Sequence, residues 1–378
     1  MWKVKSCTTL FLFSFLWNCA LGQGIVHAPD TIKWPSPEVE QVYVHALDYI
    51  RLGNCKEAMI AGKQAVILAP GVWQAQKALG TAQYCAGEYK DASETFSTLV
   101  LKYSADADCF DLLARCFDAL KQNKKAKKAV NDGLLRFPGS GMLYNRLGQL
   151  YNKENNREKT TTAWMNGILI NPEYCPNYLN ASSMYLSSDN PVLGLLLGEM
   201  YLNLSADTSG FAYVRQSLFY GYKTLYGNFS AQDKSIGIYS PQAAPTKHFD
   251  GLVSATFAQL YPVVSDGIST ENLTMLRTRF LMDWIGKNDS SLSFSLFNYH
   301  DLLIKTGHFD IYNEWLFGAA ESTTEFAAWN NFHDGDIPRF LRWKEQHKFK
   351  TIASDARLLR SAKDIEFSKK KKRNSPAN

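Results

Sequence analysis

Small residues recur along the first half of this chain at one fixed interval. Ala46, Gly80, Ala114, Gly148 and Ser182 fall at steps of 34, and Ala58, Ala92 and Ala126 keep the same step. Gly53 with Gly87, Phe117 with Tyr151, and Pro70, Pro138 and Pro172 make further columns, the last lacking a member at Ser104. Between them apolar residues advance in threes and fours, as in ALGTAQYCAGEYKDASETF from Ala78, which is the period of an amphipathic helix. Such a chain repeats one supersecondary unit that buries its apolar face only when neighbours stack on it.

Each interval reads as two antiparallel helices. A small residue midway along the first helix lets the second approach closely. Gly53 and Gly87 offer the left-handed residue that ends the first helix, and proline stops the second. Tyr49, Phe96, Phe117, Tyr151 and Trp164 are large enough to fill what the small residues leave open. LYNRLGQLY from Leu143, ALGTAQYCAGEY, and the Ala and Pro columns resemble the tetratricopeptide repeat (TPR) family. The resemblance implies an all-α fold, a TPR-type helical solenoid over residues 39–208. Its repeats are expected at 39–72, 73–106, 107–140 and 141–174, with a divergent fifth at 175–208 that puts Pro191 at the start of its second helix.

From Gly210 the columns stop while helical periodicity continues through FAYVRQSLFYGYKTLY, GLVSATFAQLY, TENLTMLRTRFLMDWIG, LFNYHDLLIKTG and EFAAWNNF. No run alternates with period two. An additional C-terminal α-helical region is therefore expected over 209–366, followed by a basic disordered tail at 367–378 that holds Lys369–Arg373. At the other end Lys3 and Lys5, the short apolar TTLFLFSFLW, and Ala20-Leu21-Gly22 read as a secretory signal peptide over 1–22, with Gln23 as the first mature residue. LGLLLGEMYLNL is interrupted by Glu199 and Asn203, so no transmembrane segment is expected. The order of signal, repeats, GEMYLNL, GHFDIYNEWLF and RFLRWKEQ resembles exported TPR proteins of Bacteroidetes-type bacteria, a group that carries no known activity. An exported chain is expected, periplasmic or associated with the outer membrane, or secreted in a non-bacterial source.

Of the formal charge of +5, two positives belong to Lys3 and Lys5 and five to Lys369–Arg373, which leaves the body between them slightly acidic. No nucleic-acid partner is expected from such a body. Beyond the signal stand Cys55, Cys85, Cys109, Cys116 and Cys175, an odd number without CxxC. That pattern argues against a disulfide framework or a zinc site, and small buried residues are the reading preferred over one isolated disulfide.

The sequence holds no phosphate loop, no GxSxG elbow and no dinucleotide fingerprint. His300-Asp301 with His308, and the run Asn331-Phe332-His333-Asp334-Gly335-Asp336, gather proton-transfer and metal-ligand chemistry. The two histidines lack HExxH spacing, with Gly307 ending the helix between them, and HDGD suits a polar turn. No catalytic residue, metal ligand or cofactor is expected, and the chain is read as a non-catalytic scaffold or adaptor.

The family resemblance implies a concave groove lined by first-helix residues that holds a protein or peptide partner. Aligned on the repeats, the partner-binding set is Tyr43, Lys77, Thr81, Tyr84, Asp111, Arg115, Asp118, Asn145, Gln149 and Asn152. Tyr84, Arg115 and Asn152 are expected to carry binding while being dispensable for folding. The family's carboxylate clamp is half present: Lys77 matches, Thr81 stands where Asn is expected, and Leu112 replaces the next Asn. Association with an envelope complex would fit an exported scaffold. A glycan-binding surface of the polysaccharide-uptake type is the alternative, prompted by the many aromatic residues, though neither a lipid-anchor cysteine nor a long insertion accompanies it.

Overall fold

The computed structural model describes residues 32–102, 105–187, 191–227, 248–287 and 292–359. The signal peptide, Gln23, Ser104 and the basic tail lie outside the described residues. Between Tyr174 and Cys175 the chain passes from one compact unit to another.

In the first unit, helices α1 (Pro37–Leu52), α2 (Cys55–Leu68), α3 (Trp73–Cys85), α4 (Tyr89–Lys102), α5 (Ala107–Ala119), α6 (Asn123–Arg136), α7 (Gly141–Lys153) and α8 (Arg157–Ile170) form four consecutive pairs. The starts of α3, α5 and α7 are 34 residues apart. The small-residue column is the seam of each pair: Ala46 and Ala114 are fully buried, and a Cβ on Gly80 would stand 3.0 Å from the Phe96 ring of α4. The second column is equally buried at Ala58, Ala92 and Ala126, and it continues to Thr160, whose hydroxyl donates to the Asn156 carbonyl at 2.8 Å. That bond lets a polar residue occupy an alanine's place.

The turn between paired helices is the same hydrogen-bonded device four times. Gly53 (φ 77°) and Gly87 (φ 81°) are left-handed, and so are Lys121 (φ 59°) and Asn155 (φ 54°) at the next two steps of 34. Asn54 donates its backbone N–H to Tyr49, Glu88 to Gln83, Gln122 to Phe117 and Asn156 to Tyr151, each five residues back. This is the Schellman closure, which satisfies carbonyls that a helix end would otherwise orphan. Lysine and asparagine bear the Cβ penalty that glycine avoids.

The second unit contains α9 (Pro176–Leu186), α10 (Pro191–Leu204), α11 (Phe211–Gly227), α12 (Phe249–Gln259), α13 (Thr270–Lys287) and α14 (Ser295–Lys305). After these come α15 (Phe309–Asn313), a π-helical turn (Glu314–Gly318), α16 (Ala319–Glu321), α17 (Thr323–Phe332), α18 (Asp336–Gln346) and α19 (Ala353–Leu358). There is no strand among the described residues. Helices α9 and α10 repeat the close seam, with the Ser182 hydroxyl donating to the Gly194 carbonyl at 2.7 Å. Helix α10 is buried on nearly every side, as its all-round hydrophobicity demands. Aromatic rings fill the core, among them Phe257 stacked on Phe280 at 4.3 Å and Phe249 tilted against Phe294 at 4.9 Å. Such pairs contribute about 0.5–1.5 kcal/mol each beyond their burial.

Two segments inside the expected helical region are helical although neither is singled out by its own periodicity. GHFDIYNEWLF forms α15 and the π turn, which buries Trp315, Leu316, Phe317 and Gly318 in succession, a run that no 3.6-residue period predicts. RFLRWKEQ lies in α18, entered from the HDGD turn through left-handed Gly335 (φ 81°).

Candidate functional site

The first helices of successive repeats contact one another, and their polar side chains bond from repeat to repeat. Lys77 of α3 reaches Asp106 and Asp108 at the start of α5, both at 2.7 Å. Asp106 also caps α5, accepting from the Cys109 N–H at 3.1 Å. Burial pulls the Lys77 ammonium down, and the two carboxylates more than offset it, leaving its pKa above the usual lysine value.

One repeat further on, Asp111 of α5 accepts from Arg115 Nε at 2.7 Å and from Arg146 Nε of α7 at 2.7 Å. Burial raises this carboxyl, but the two guanidiniums overcome it and hold Asp111 at about 2. Arg146 Nη1 donates to Gln149, and Gln149 Nε2 donates to Asn145 Oδ1 at 3.0 Å. Lys153 of α7 pairs with Asp118 of α5. Four carboxylates (Asp106, Asp108, Asp111, Asp118) thus meet four cations (Lys77, Arg115, Arg146, Lys153) along one lining, and their charges cancel.

Aromatic residues sit between these charges. Tyr43 packs its ring 4.7 Å from Trp34 and lies within electrostatic reach of Lys77 and Asp106. Tyr84 packs on Tyr89 at 5.3 Å and stands in the field of Arg115 and Arg146. Tyr43, Thr81, Tyr84 and Gln149 are half-buried, and Asn152 is exposed. The Thr81 hydroxyl donates to the Lys77 carbonyl at 2.8 Å, so it serves its own helix. Asn145 is buried; its carbonyl accepts from Trp164 Nε1 at 3.1 Å, whereas its side-chain Nδ2 has no hydrogen-bond partner among the described residues.

Two expectations need correction. Arg115 is not a free side chain of the lining: it is one of two cations that neutralise the buried Asp111. Lys77 is engaged by two carboxylates, in keeping with the incomplete clamp. Not every cysteine is a lone buried residue: Cys55 at the start of α2 and Cys85 at the end of α3 form a disulfide with Cα atoms 5.5 Å apart, while Cys109 and Cys116 are buried free thiols. Arg146 and Lys153 belong to the lining although the repeat positions do not select them. Each pairs with an aspartate 35 residues earlier, one repeat plus one residue, and that spacing of opposite charges was the available signal.

In the second unit His300 is buried and does not share a site with His308. Its Nε2 is 2.7 Å from Glu199 Oε1 of α10, which also accepts from Tyr312 at 2.8 Å and pairs with Arg277 of α13. Arg277 donates in turn to Asn313. Burial raises the Glu199 carboxyl, yet Arg277 and His300 together hold it at about 2; burial keeps His300 below 6.5 despite Glu199. His308 and His333 share a different place, an open hollow of about 550 Å³ whose lining includes Glu271, Glu314, Trp329 and Asp336. Among the described residues no group of three or more His, Cys, Asp or Glu is placed to hold a metal ion.

The first unit is that of a helical-repeat protein, in which paired helices stack and present one polar lining. Its period of 34, small-residue seam and left-handed closure are those of the tetratricopeptide repeat, and the all-α fold is a TPR-type solenoid with further helices after it. No family model matches the chain, and no curated protein matches it. Among solved structures the chain is similar to a thermophilic TPR protein of Thermus thermophilus, 16% identical over 48% of this chain and 98% of that one, with a TM-score of 0.42. It is similar also to PilF of Pseudomonas aeruginosa (14% identical, 52% and 90% covered, TM-score 0.43) and to a tetratricopeptide repeat protein of Parabacteroides merdae (13% identical, 68% and 96% covered, TM-score 0.33).

Proposed function

We propose that this chain is a non-catalytic scaffold that binds an extended protein or peptide segment along the lining of repeats two to four. The observation that carries the reading is a lining whose charges have neutralised one another while Tyr43, Tyr84 and Gln149 stay half-buried and Asn152 exposed beside them. With the lining neutral, a partner is selected by hydrogen bonding and by stacking on Tyr84 and Tyr43 rather than by net charge. Lys77, Asp111, Arg115, Asp118 and the buried Asn145 serve as a rigid wall, and Tyr43, Thr81, Tyr84, Gln149 and Asn152 meet the partner.

Export is part of the proposal. No helix among the described residues is long and apolar enough to cross a membrane. The Cys55–Cys85 bond fits an oxidising compartment such as the periplasm or the extracellular space. Association with an envelope complex is proposed on the same ground.

The test is co-purification with mass spectrometry, comparing wild type with Tyr84→Ala/Asn152→Ala, which spares the ion pairs. The double variant is expected to keep the wild-type helical circular dichroism, with a small fall in melting temperature from the lost Tyr84 packing, and to lose the partner. Wild-type recovery of the same partner would move the binding surface elsewhere. A glycan-binding reading is favoured by one observation, the hollow where Trp329 stands among carboxylates, since sugars stack on indoles and donate hydroxyls to acids. Binding on a glycan array that Trp329→Ala abolishes would select it.

A further inference from the structure

The second unit holds two cations that no acid answers among the described residues. Arg215 of α11 places its guanidinium carbon 4.1 Å from the centre of the Trp315 ring, and Lys344 of α18 places its ammonium 4.8 Å from the same ring. The lining of the repeats matches each of its four cations with a carboxylate; here the partners are an indole and, for Lys344, the Leu202 carbonyl at 3.2 Å. Arg215 Nε is buried without a hydrogen-bond partner, and no salt bridge joins either residue to a carboxylate among the described residues. The cost shows in both groups. Burial lowers the Arg215 guanidinium to about 10. Burial, then the like charge of Arg215, lowers Lys344 from 10.5 to about 8.

Two like charges brought together on one ring in partial burial oppose folding unless something binds them. Lys344 has a structural role of its own, because Leu202 lies in the last turn of α10, where carbonyls lack helical partners. That role explains one cation. It does not explain why Arg215 is held beside it. The indole attracts both groups, Arg215 stands near enough for its charge to act on Lys344, and each keeps donors to spare.

We propose that Arg215, Lys344 and Trp315 form a binding site for an oxyanion, a carboxylate or phosphate group gripped by the guanidinium and the ammonium together. The guanidinium offers paired N–H donors to two oxygens, and the ammonium adds a point charge, the combination that suits such groups. Both side chains are half-buried, so the ligand reaches them from solvent and is partly desolvated when bound. The site is independent of the repeat lining and would hold whether or not a peptide binds there.

The experiment is isothermal titration calorimetry of the full chain with inorganic phosphate and, separately, with acetate, alongside thermal unfolding in each anion. Saturable binding of at least one anion is expected, with a matching rise in melting temperature. Phosphate alone would assign the site to phosphate-bearing ligands, and acetate binding would assign it to carboxylates. Arg215→Gln and Lys344→Gln should each weaken binding about tenfold or more, the loss of one charge-assisted bond. Arg215→Gln should melt at or above wild type without anion, because it relieves a like-charge contact, and this separates a ligand site from a purely structural pair; Lys344→Gln also loses the bond to the Leu202 carbonyl and is read by anion binding alone. Absence of saturable binding by wild type, or undiminished binding by both variants, would overturn the proposal.

Discussion

The Trp164 indole of α8 lies directly on Gly148 of α7: a Cβ at Gly148 would stand 2.5 Å from Trp164 Cδ1. The ring is pinned there by the bond from its Nε1 to the Asn145 carbonyl. A larger residue at 148 must therefore break that bond or push α8 away. Gly148→Leu is expected to lower stability by about 2–4 kcal/mol, read from chemical unfolding followed by circular dichroism. A midpoint within error of wild type would mean that the helices of this pair do not approach as described.

Lys121 occupies the left-handed position that Gly53 and Gly87 fill in earlier repeats. Lysine there bears a Cβ penalty of about 1 kcal/mol, and glycine gives part of it back as chain entropy in the unfolded state. Lys121→Gly should leave stability unchanged or raise it by up to about 1 kcal/mol. Loss of stability in the same unfolding measurement would contradict the left-handed turn.

The Cys55–Cys85 bond joins residues 30 apart in sequence, on α2 and α3. Restricting the unfolded chain over such a loop contributes about 3–4 kcal/mol. Reductant is expected to lower the melting temperature of wild type and leave Cys85→Ser unaffected. Alkylation of the native, then of the reduced, unfolded protein, with peptide mapping, checks the pairing: Cys55 and Cys85 should react only after reduction.

Glu199 and His300 make the second unit sensitive to acid. Both have folded pKa values below their ordinary ones of 4.5 and 6.5, so the unfolded chain takes up the extra protons. Their stabilisation is complete above pH 6.5, begins to fall below it as His300 is protonated on unfolding, and falls again from 4.5 towards about 2 through Glu199. Glu199→Gln should cost about 3–5 kcal/mol near neutral pH by leaving Arg277 buried without its counter-charge, and it should flatten the loss at the acid end. Unfolding midpoints measured from neutral pH downward decide this; an unchanged slope in the variant would place the acid sensitivity elsewhere.

Within the groove set, position in the repeat predicted accessibility for some residues and not for others. Tyr84 and Gln149 are half-buried and Asn152 is exposed. Asp111 and Arg115 satisfy the same positional rule and are parts of an internal ion network. Position on a helix says which way a side chain leaves the backbone; it does not say whether another chain segment will already have met it.

The sequence by itself determined what depends on neighbours within one repeat: the period of 34, the helix pairs, the glycine turns, and the seam of small residues, because packing one helix on the next is a local and recurrent demand. Tertiary structure alone decided what joins distant positions. Glu199, Arg277 and His300 are separated by 78 and 101 residues from acid to cation and to imidazole, and nothing periodic connects them. Arg215 and Lys344 are drawn to one indole across helices that share no pattern, and the sulfurs of Cys55 and Cys85 are brought into bonding range by the stacking of α2 on α3. Helical periodicity fixes which residues turn inward, but the partner each one finds there is set by which helices stack.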